Sequence, residues 1–236
     1  MSSSLSSSAV CAVLPWLLFA PAFAGETASI QTVLHALDQA EARRESQLPG
    51  YTVTEHYTLA VSRFSLSAEM TVETVYRREQ GKSFHVISRS GSPMLQSRVF
   101  DRLLSEEAEM SRGETRRGLL VNSANYAVRL GGEATLEGTE CYVLELTPRT
   151  KSTYLLQGRA WVDKEDGSLI RIEGVPGASP SFLSGRPRIT REYEKLGEFW
   201  LARRSHSATD TFLSGKTELV IDYRDYRILS DYAPRP

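Results

Sequence analysis

The sequence predicts an α+β protein that is mainly β: a curved antiparallel sheet around a concave apolar face, with two helices packed against it. Apolar residues alternate with polar ones through most of the chain from Tyr51 onward, two segments space them at three and four instead, and glycine-containing polar links separate the runs. Long alternating strands that follow one another through short links pair as an antiparallel meander. Twist then curls the sheet around a concave apolar face.

The clearest element lies between Tyr154 and Gly174. Leu156, Ala160 and Val162 share one face of a first strand, Ile170 and Ile172 are expected on one face of a second, and Lys164-Glu165-Asp166-Gly167 forms the turn between them. Upstream, Ile30, Val33, Leu34, Leu37 and Ala40 make the stripe of an amphipathic helix over Thr27 to Glu45, capped by Thr27 or Ser29 and ended before Pro49-Gly50. From Tyr51 the period becomes two. Tyr51, Val53, Glu55, Tyr57, Leu59 and Val61 share a face, followed by Met70, Val72, Thr74 and Tyr76, then by Phe84 and Val86.

Ser92-Pro93 opens a second helix, with Leu95, Val99 and Leu103 at helical spacing and Phe100 and Leu104 beside them. Glu106, Glu107 and Glu109 oppose the helix dipole, so this helix is expected to stop near Ser105. Interrupting a run of strands, it is the candidate lid over the sheet's open mouth. Strands then resume: Gly138 turns Ala134–Leu136 into Cys141–Leu146, where Tyr142, Leu144 and Leu146 share a face, and Gly131-Gly132 reads as a turn or bulge. After the central hairpin, Gly174 to Pro187 is a long Gly, Pro and Ser loop carrying Phe182 and Leu183. Ile189, Arg191 and Tyr193, then Phe199 and Leu201, then Leu219, Ile221 and Tyr223 mark the closing strands.

The first 24 residues contain an apolar run from Ala9 to Phe19 and a small-x-small pair, Ala22 and Ala24, which reads as a secretory signal peptide cleaved before Gly25. The serine-rich start without Lys or Arg departs from that pattern. A membrane anchor is the competing reading, but the run is short of the roughly 20 apolar residues a span needs. Cys11 precedes the apolar run, against a lipid-attachment site, and after cleavage Cys141 is the sole cysteine, a small buried hydrophobe with no disulfide partner. The rest, residues 25 to 236, is read as one domain of a monomer. A net charge of −1 with both signs interspersed gives no surface for nucleic acid.

No catalytic constellation is present. His35, His56, His85 and His206 stand in no metal-ligand spacing, there is no serine elbow or phosphate loop, and Asp163, Glu165 and Asp166 lack calcium-loop spacing. The expectation is a binding protein without cofactor or metal. Its candidate cavity lining is Tyr57, Leu59, Met70, Val72, Tyr76, Phe84, Val86, Tyr142, Leu144, Leu146, Ile170, Ile172, Leu219, Ile221 and Tyr223, with Leu95 and Val99 from the helix. Met94 belongs to the lid, and Phe182 and Leu183 to the loop. The bland alternative is that the helices plug the sheet and the apolar face is only core.

The motif G-R-A-W-V-D-K-E-D-G-S-L-I-R-I-E-G, with the closing E-F-W-L-A and L-V-I-D-Y-R-D-Y, resembles the LolA-like proteins, the periplasmic carriers that sort outer-membrane lipoproteins, and their relatives. That resemblance implies a LolA/LolB-like incomplete barrel, closed by helices, whose interior accepts acyl chains of lipoproteins or lipids. It also implies hand-over from an inner-membrane transporter to an outer-membrane acceptor. A second reading is an envelope-sensing or protein-binding module of the same fold, working through the Gly174 to Pro187 loop.

Overall fold

The two-residue periodicity resolves into ten strands of one antiparallel sheet. The structure, a computed structural model, describes residues 29–178, 186–211 and 215–230. The expected signal peptide and cleavage site, Cys11, Phe182 and Leu183 lie outside the described residues. The strands are β1 (Gly50–Val61), β2 (Leu66–Arg77), β3 (Gly81–Gly91), β4 (Tyr126–Leu136), β5 (Thr139–Pro148), β6 (Leu156–Asp163), β7 (Leu169–Pro176), β8 (Arg188–Leu196), β9 (Phe199–Thr211) and β10 (Gly215–Ile228). Their order across the sheet is β3-β2-β1-β10-β9-β8-β7-β6-β5-β4. The chain therefore lays down three strands, crosses to the far edge, and returns until β10 pairs with β1 from Tyr51↔Ile228 to Val61↔Thr217. Strands β3 and β4 remain as edges, so the curved sheet is not closed into a barrel.

The helices cover the concave face. Helix α1 (Ile30–Gln47) is capped by Ser29, whose hydroxyl accepts from the Thr32 amide, and buries Val33, Leu37 and Ala40. Val33 and Leu37 pack with Tyr126, Leu144, Leu146, Leu156, Ala160, Val162 and Ile172, so α1 sits over β4 to β7. It also clamps the central hairpin. Gly167 turns with φ +75° directly beneath α1, where a Cβ would stand 2.6 Å from the Ala36 carbonyl oxygen, and Arg43 donates to the Asp166 carbonyl at 2.5 Å. Glycine is thus required there both for the positive φ and for the close approach of the helix.

The second helical segment runs Pro93–Leu95 (α2), Gln96–Phe100 in π form and Asp101–Met110 (α3), and Gly113–Arg117 adds a short α4. The expected stop near Ser105 is overturned: α3 continues to Met110 because Glu107 is held by Lys82 of β3 and is not left to oppose the dipole. The π turn inserts one residue into the helical phase, which turns Phe100 and Leu104 to the core and leaves Val99 and Leu103 at its margin. Among the described residues no helix is long and apolar enough to cross a membrane.

Bulges adjust the sheet where sequence alternation alone misleads. The Gly131-Gly132 pair is indeed a bulge, opposite Leu144 and Val143. A second bulge, where Trp161 pairs with Arg171 but Val162 pairs with Leu169, makes Ile170 an extra residue. Ile170 therefore does not share a face with Ile172. It joins Cys141 and Trp161 on the opposite side of the sheet, and it is removed from the cavity candidates.

Strands β6 and β7 approach closely through facing glycines. A Cβ on Gly158 would meet the Glu173 carbonyl oxygen at 2.0 Å and Gly174 Cα at 2.5 Å, both backbone atoms that cannot swing aside. Gly158→Ala should lower stability by about 2–4 kcal/mol, in the range of overpacking and backbone-strain mutants. Gly138→Ala is its comparison: φ is positive at Gly138 (+89°), unlike at Gly158, but no atom crowds the added carbon, and its loss should be about 1 kcal/mol. Urea unfolding of both variants checks the ranking; equal losses would remove steric contact as the cause.

Candidate functional site

The concave face has a filled half and an open half. Under α2 and α3, Tyr57, Leu59, Met70, Val72, Leu95 and Ile221 are buried together with Phe100, and Phe84, Val86, Val99, Leu219 and Tyr223 pack against them. Tyr57 and Val72 are each 0% exposed, so these candidates are taken up in core. Tyr76 stacks on Tyr51 at 5.1 Å in an adjoining cluster with Val53 and Leu201. Met94, at the start of α2, is exposed.

Set into this filled half is a charged cluster. Glu55 of β1 is fully buried and accepts from the Tyr57 hydroxyl at 2.5 Å. The Lys82 ammonium lies 3.4 Å from Glu55 and pairs more closely with Glu107 of α3, while the Tyr57 hydroxyl also reaches Glu107 at 3.5 Å. Burial pushes the Glu55 carboxyl above its ordinary range, an effect Lys82 only partly offsets. Burial also opposes the Glu107 charge, but Lys82 overcomes it and holds Glu107 below its ordinary range. Lys82 itself is desolvated, yet the two carboxylates keep it charged well above the usual lysine range. The cluster ties α3 to β1 and β3 through charge-assisted bonds.

The open half lies beneath α1. A cavity of about 580 Å³ is bounded by α1 (Leu37, Ala40, Arg44), the segment Leu119-Leu120-Val121, β6 and β7 (Leu156, Leu169, Ile172), and the β8–β9 hairpin (Arg191, Tyr193, Phe199, Trp200). That size falls within the roughly 300–1,000 Å³ of small-molecule sites. At its rim Asp166 accepts from Lys195 at 2.9 Å and from the Trp200 indole at 3.1 Å. Although burial pushes the other way, those bonds hold the Asp166 carboxyl below its ordinary range. Glu41 pairs with Arg44 at 3.2 Å and with Arg116 of α4.

Of the residues expected to line a cavity, Ile172 alone reaches this one. Tyr142, Leu144 and Leu146 pack behind it in the α1 core. The walls that alternation on strands missed come from α1, from the 119–121 segment and from the β8–β9 hairpin. Tyr193 and Phe199 were visible as strand residues; Leu119 to Val121 carried no periodicity to announce them.

Among the described residues no three His, Cys, Asp or Glu side chains gather in a way that could hold a metal ion. Cys141 is a free, buried thiol whose sulfhydryl donates to the Thr139 carbonyl at 3.2 Å. What the geometry defines is a mainly β half-barrel, with one half of its concave face packed solid and a cavity under the first helix in the other.

The chain is similar to several solved structures. A putative outer membrane lipoprotein-sorting protein domain from Vibrio parahaemolyticus is similar at 14% identity and TM-score 0.47, over 86% of this chain and 95% of that one. A DUF1329 family protein from Desulfovibrio piger is similar at 14% identity and TM-score 0.46, over 88% and 96%. A LolA superfamily protein from Nitrosomonas europaea is similar at 13% identity and TM-score 0.41, over 86% and 95%. No protein-family model and no curated protein matches the sequence.

Proposed function

We propose that the protein is a non-enzymatic periplasmic carrier that holds an acyl chain of a lipoprotein or lipid in the cavity beneath α1. The observation that carries this reading is the cavity itself: about 580 Å³ walled by Leu37, Leu119, Leu120, Val121, Leu156, Ile172 and Phe199, under a helix that leaves the sheet incompletely covered. Each buried methylene contributes about 0.8 kcal/mol, so a chain entering this space is retained without a covalent step. The candidate chain-holding site moves accordingly from the α2–α3 face, which the protein fills with its own side chains, to the α1 face. Export with cleavage before Gly25, a monomeric state, and exchange with an inner-membrane donor and an outer-membrane acceptor complete the reading.

Purified protein should take up a fluorescent acyl probe and release fatty acid or lipoprotein on organic extraction. Leu120→Glu places a charge in the cavity wall at a half-buried position, so the fold survives. It should weaken probe binding about tenfold or more, because an acyl chain laid against it would strip water from a charge. Fluorescence titration with a parallel melting curve reads both. No uptake by the unaltered protein, together with an empty extract, would sink the carrier reading.

A further inference from the structure

One guanidinium group in the cavity, that of Arg191, lacks the partners that most other charges of its wall possess. Arg191 stands on the concave side of β8 between Ile189 and Tyr193, both packed on the α1 core. It is exposed, lines the cavity and pairs with no carboxylate among the described residues. Arg44, on α1, uses its terminal nitrogen on Glu41. Glu41 is already shared with Arg116, and Asp166 with Lys195 and Trp200, so the lining acids are taken. Glu198, at the β8–β9 turn, is the one further lining acid. The Arg191 guanidinium, exposed in a cavity whose wall mixes polar and apolar side chains, presents a planar fork that matches the oxygens of a carboxylate or phosphate.

We infer that this cavity selects amphiphiles with an anionic headgroup, a carboxylate or a phosphate ester, bound by Arg191, with the acyl chain along the Leu119 to Val121 wall. The inference rests on the carrier reading and adds the headgroup to it. Arg191 also acts at a distance on Glu107, helping Lys82 to keep it ionised.

The test compares hexadecanoic acid, hexadecyl phosphate and the uncharged methyl ester of the acid, by calorimetry on the full chain. The acid or the phosphate should bind about tenfold or more tightly than the ester, the effect of one charge-assisted hydrogen bond, and the tighter of the two anions identifies the head. Arg191→Met keeps the apolar stem and should bring the anion down to the ester's affinity while leaving the ester unchanged. Equal binding of anion and ester by the unaltered protein, or an anion preference that survives in Arg191→Met, would overturn the headgroup assignment while the carrier reading stands. Absence of all binding, ester included, would overturn both.

Discussion

Lys82→Met should remove about 3–5 kcal/mol of folding stability, the range seen when one partner of a buried ion pair is deleted and the other charge is stranded. Two carboxylates depend on this ammonium: Glu55, with a fully buried side chain, and Glu107, whose side chain is 25% exposed. Methionine replaces the stem of the lysine with little change in packing, so the loss reports charge and not volume. Glu55→Gln should cost far less, because Lys82 keeps Glu107 as its counter-ion and an amide can still accept from Tyr57. The pH dependence has a definite sign. In Lys82→Met burial pushes the Glu55 carboxyl further above 4.5 and lifts that of Glu107, which keeps only the more distant Arg191 as a cation. Such groups contribute their full stability below the unfolded value and lose it as pH rises, so the deficit of the variant should shrink on acidification towards about pH 4. Urea unfolding of the two variants at pH 7 and at about pH 4 measures this. A Lys82→Met loss under about 1 kcal/mol, or one that grows in acid, would show that the cluster does not hold α3 to the sheet.

The same cluster shows where the sequence was legible and where it was not. Alternation placed Tyr57, Leu59, Met70 and Val72 on one inward face correctly, because a period of two is a local property of a strand. It also put Glu55 on that face, but Lys82 and Glu107 are 27 and 52 positions further on, and nothing local joins them. For the same reason the β1–β10 pairing, which sets the curvature, could not be read: it links the first strand to the last. Bulges and the π turn defeated the remainder. One extra residue at Ile170 or within Gln96–Phe100 turns a side chain to the other face while leaving the composition of the segment unchanged. The cavity escaped because it lies where strands are not fully covered, so its walls are the half-buried residues of a helix, a link and a hairpin end. The apolar strand faces that were most visible in the sequence are the ones the protein packs solid.

At alkaline pH the unaltered protein should lose stability steeply. Tyr51, Tyr57, Tyr223 and Tyr226 all hold their protons above the ordinary value of 10.0, chiefly because burial disfavours the phenolate, and Lys82 holds its proton well above 10.5 because Glu107 and Glu55 outweigh burial. Every one of these groups is raised in the folded state, so each contributes stability that is complete below its unfolded value and is lost as pH rises from about 10 towards its folded value. One proton of difference is about 1.4 kcal/mol per pH unit, and several acting together give a slope of several kcal/mol per unit. Tyr57→Phe isolates one contribution. It removes the bond to Glu55, a cost already present at neutral pH of about 1–3 kcal/mol for a charged acceptor, and it removes one titrating proton from the alkaline limb. The neutral-pH stabilities will therefore differ while the alkaline slope of the variant becomes shallower by about 1.4 kcal/mol per unit. Unfolding free energies between about pH 9 and about pH 11 separate the two effects. A flat profile in the unaltered protein, or parallel slopes in the two, would mean that the tyrosines of the filled half reach water, and that α3 does not seal it.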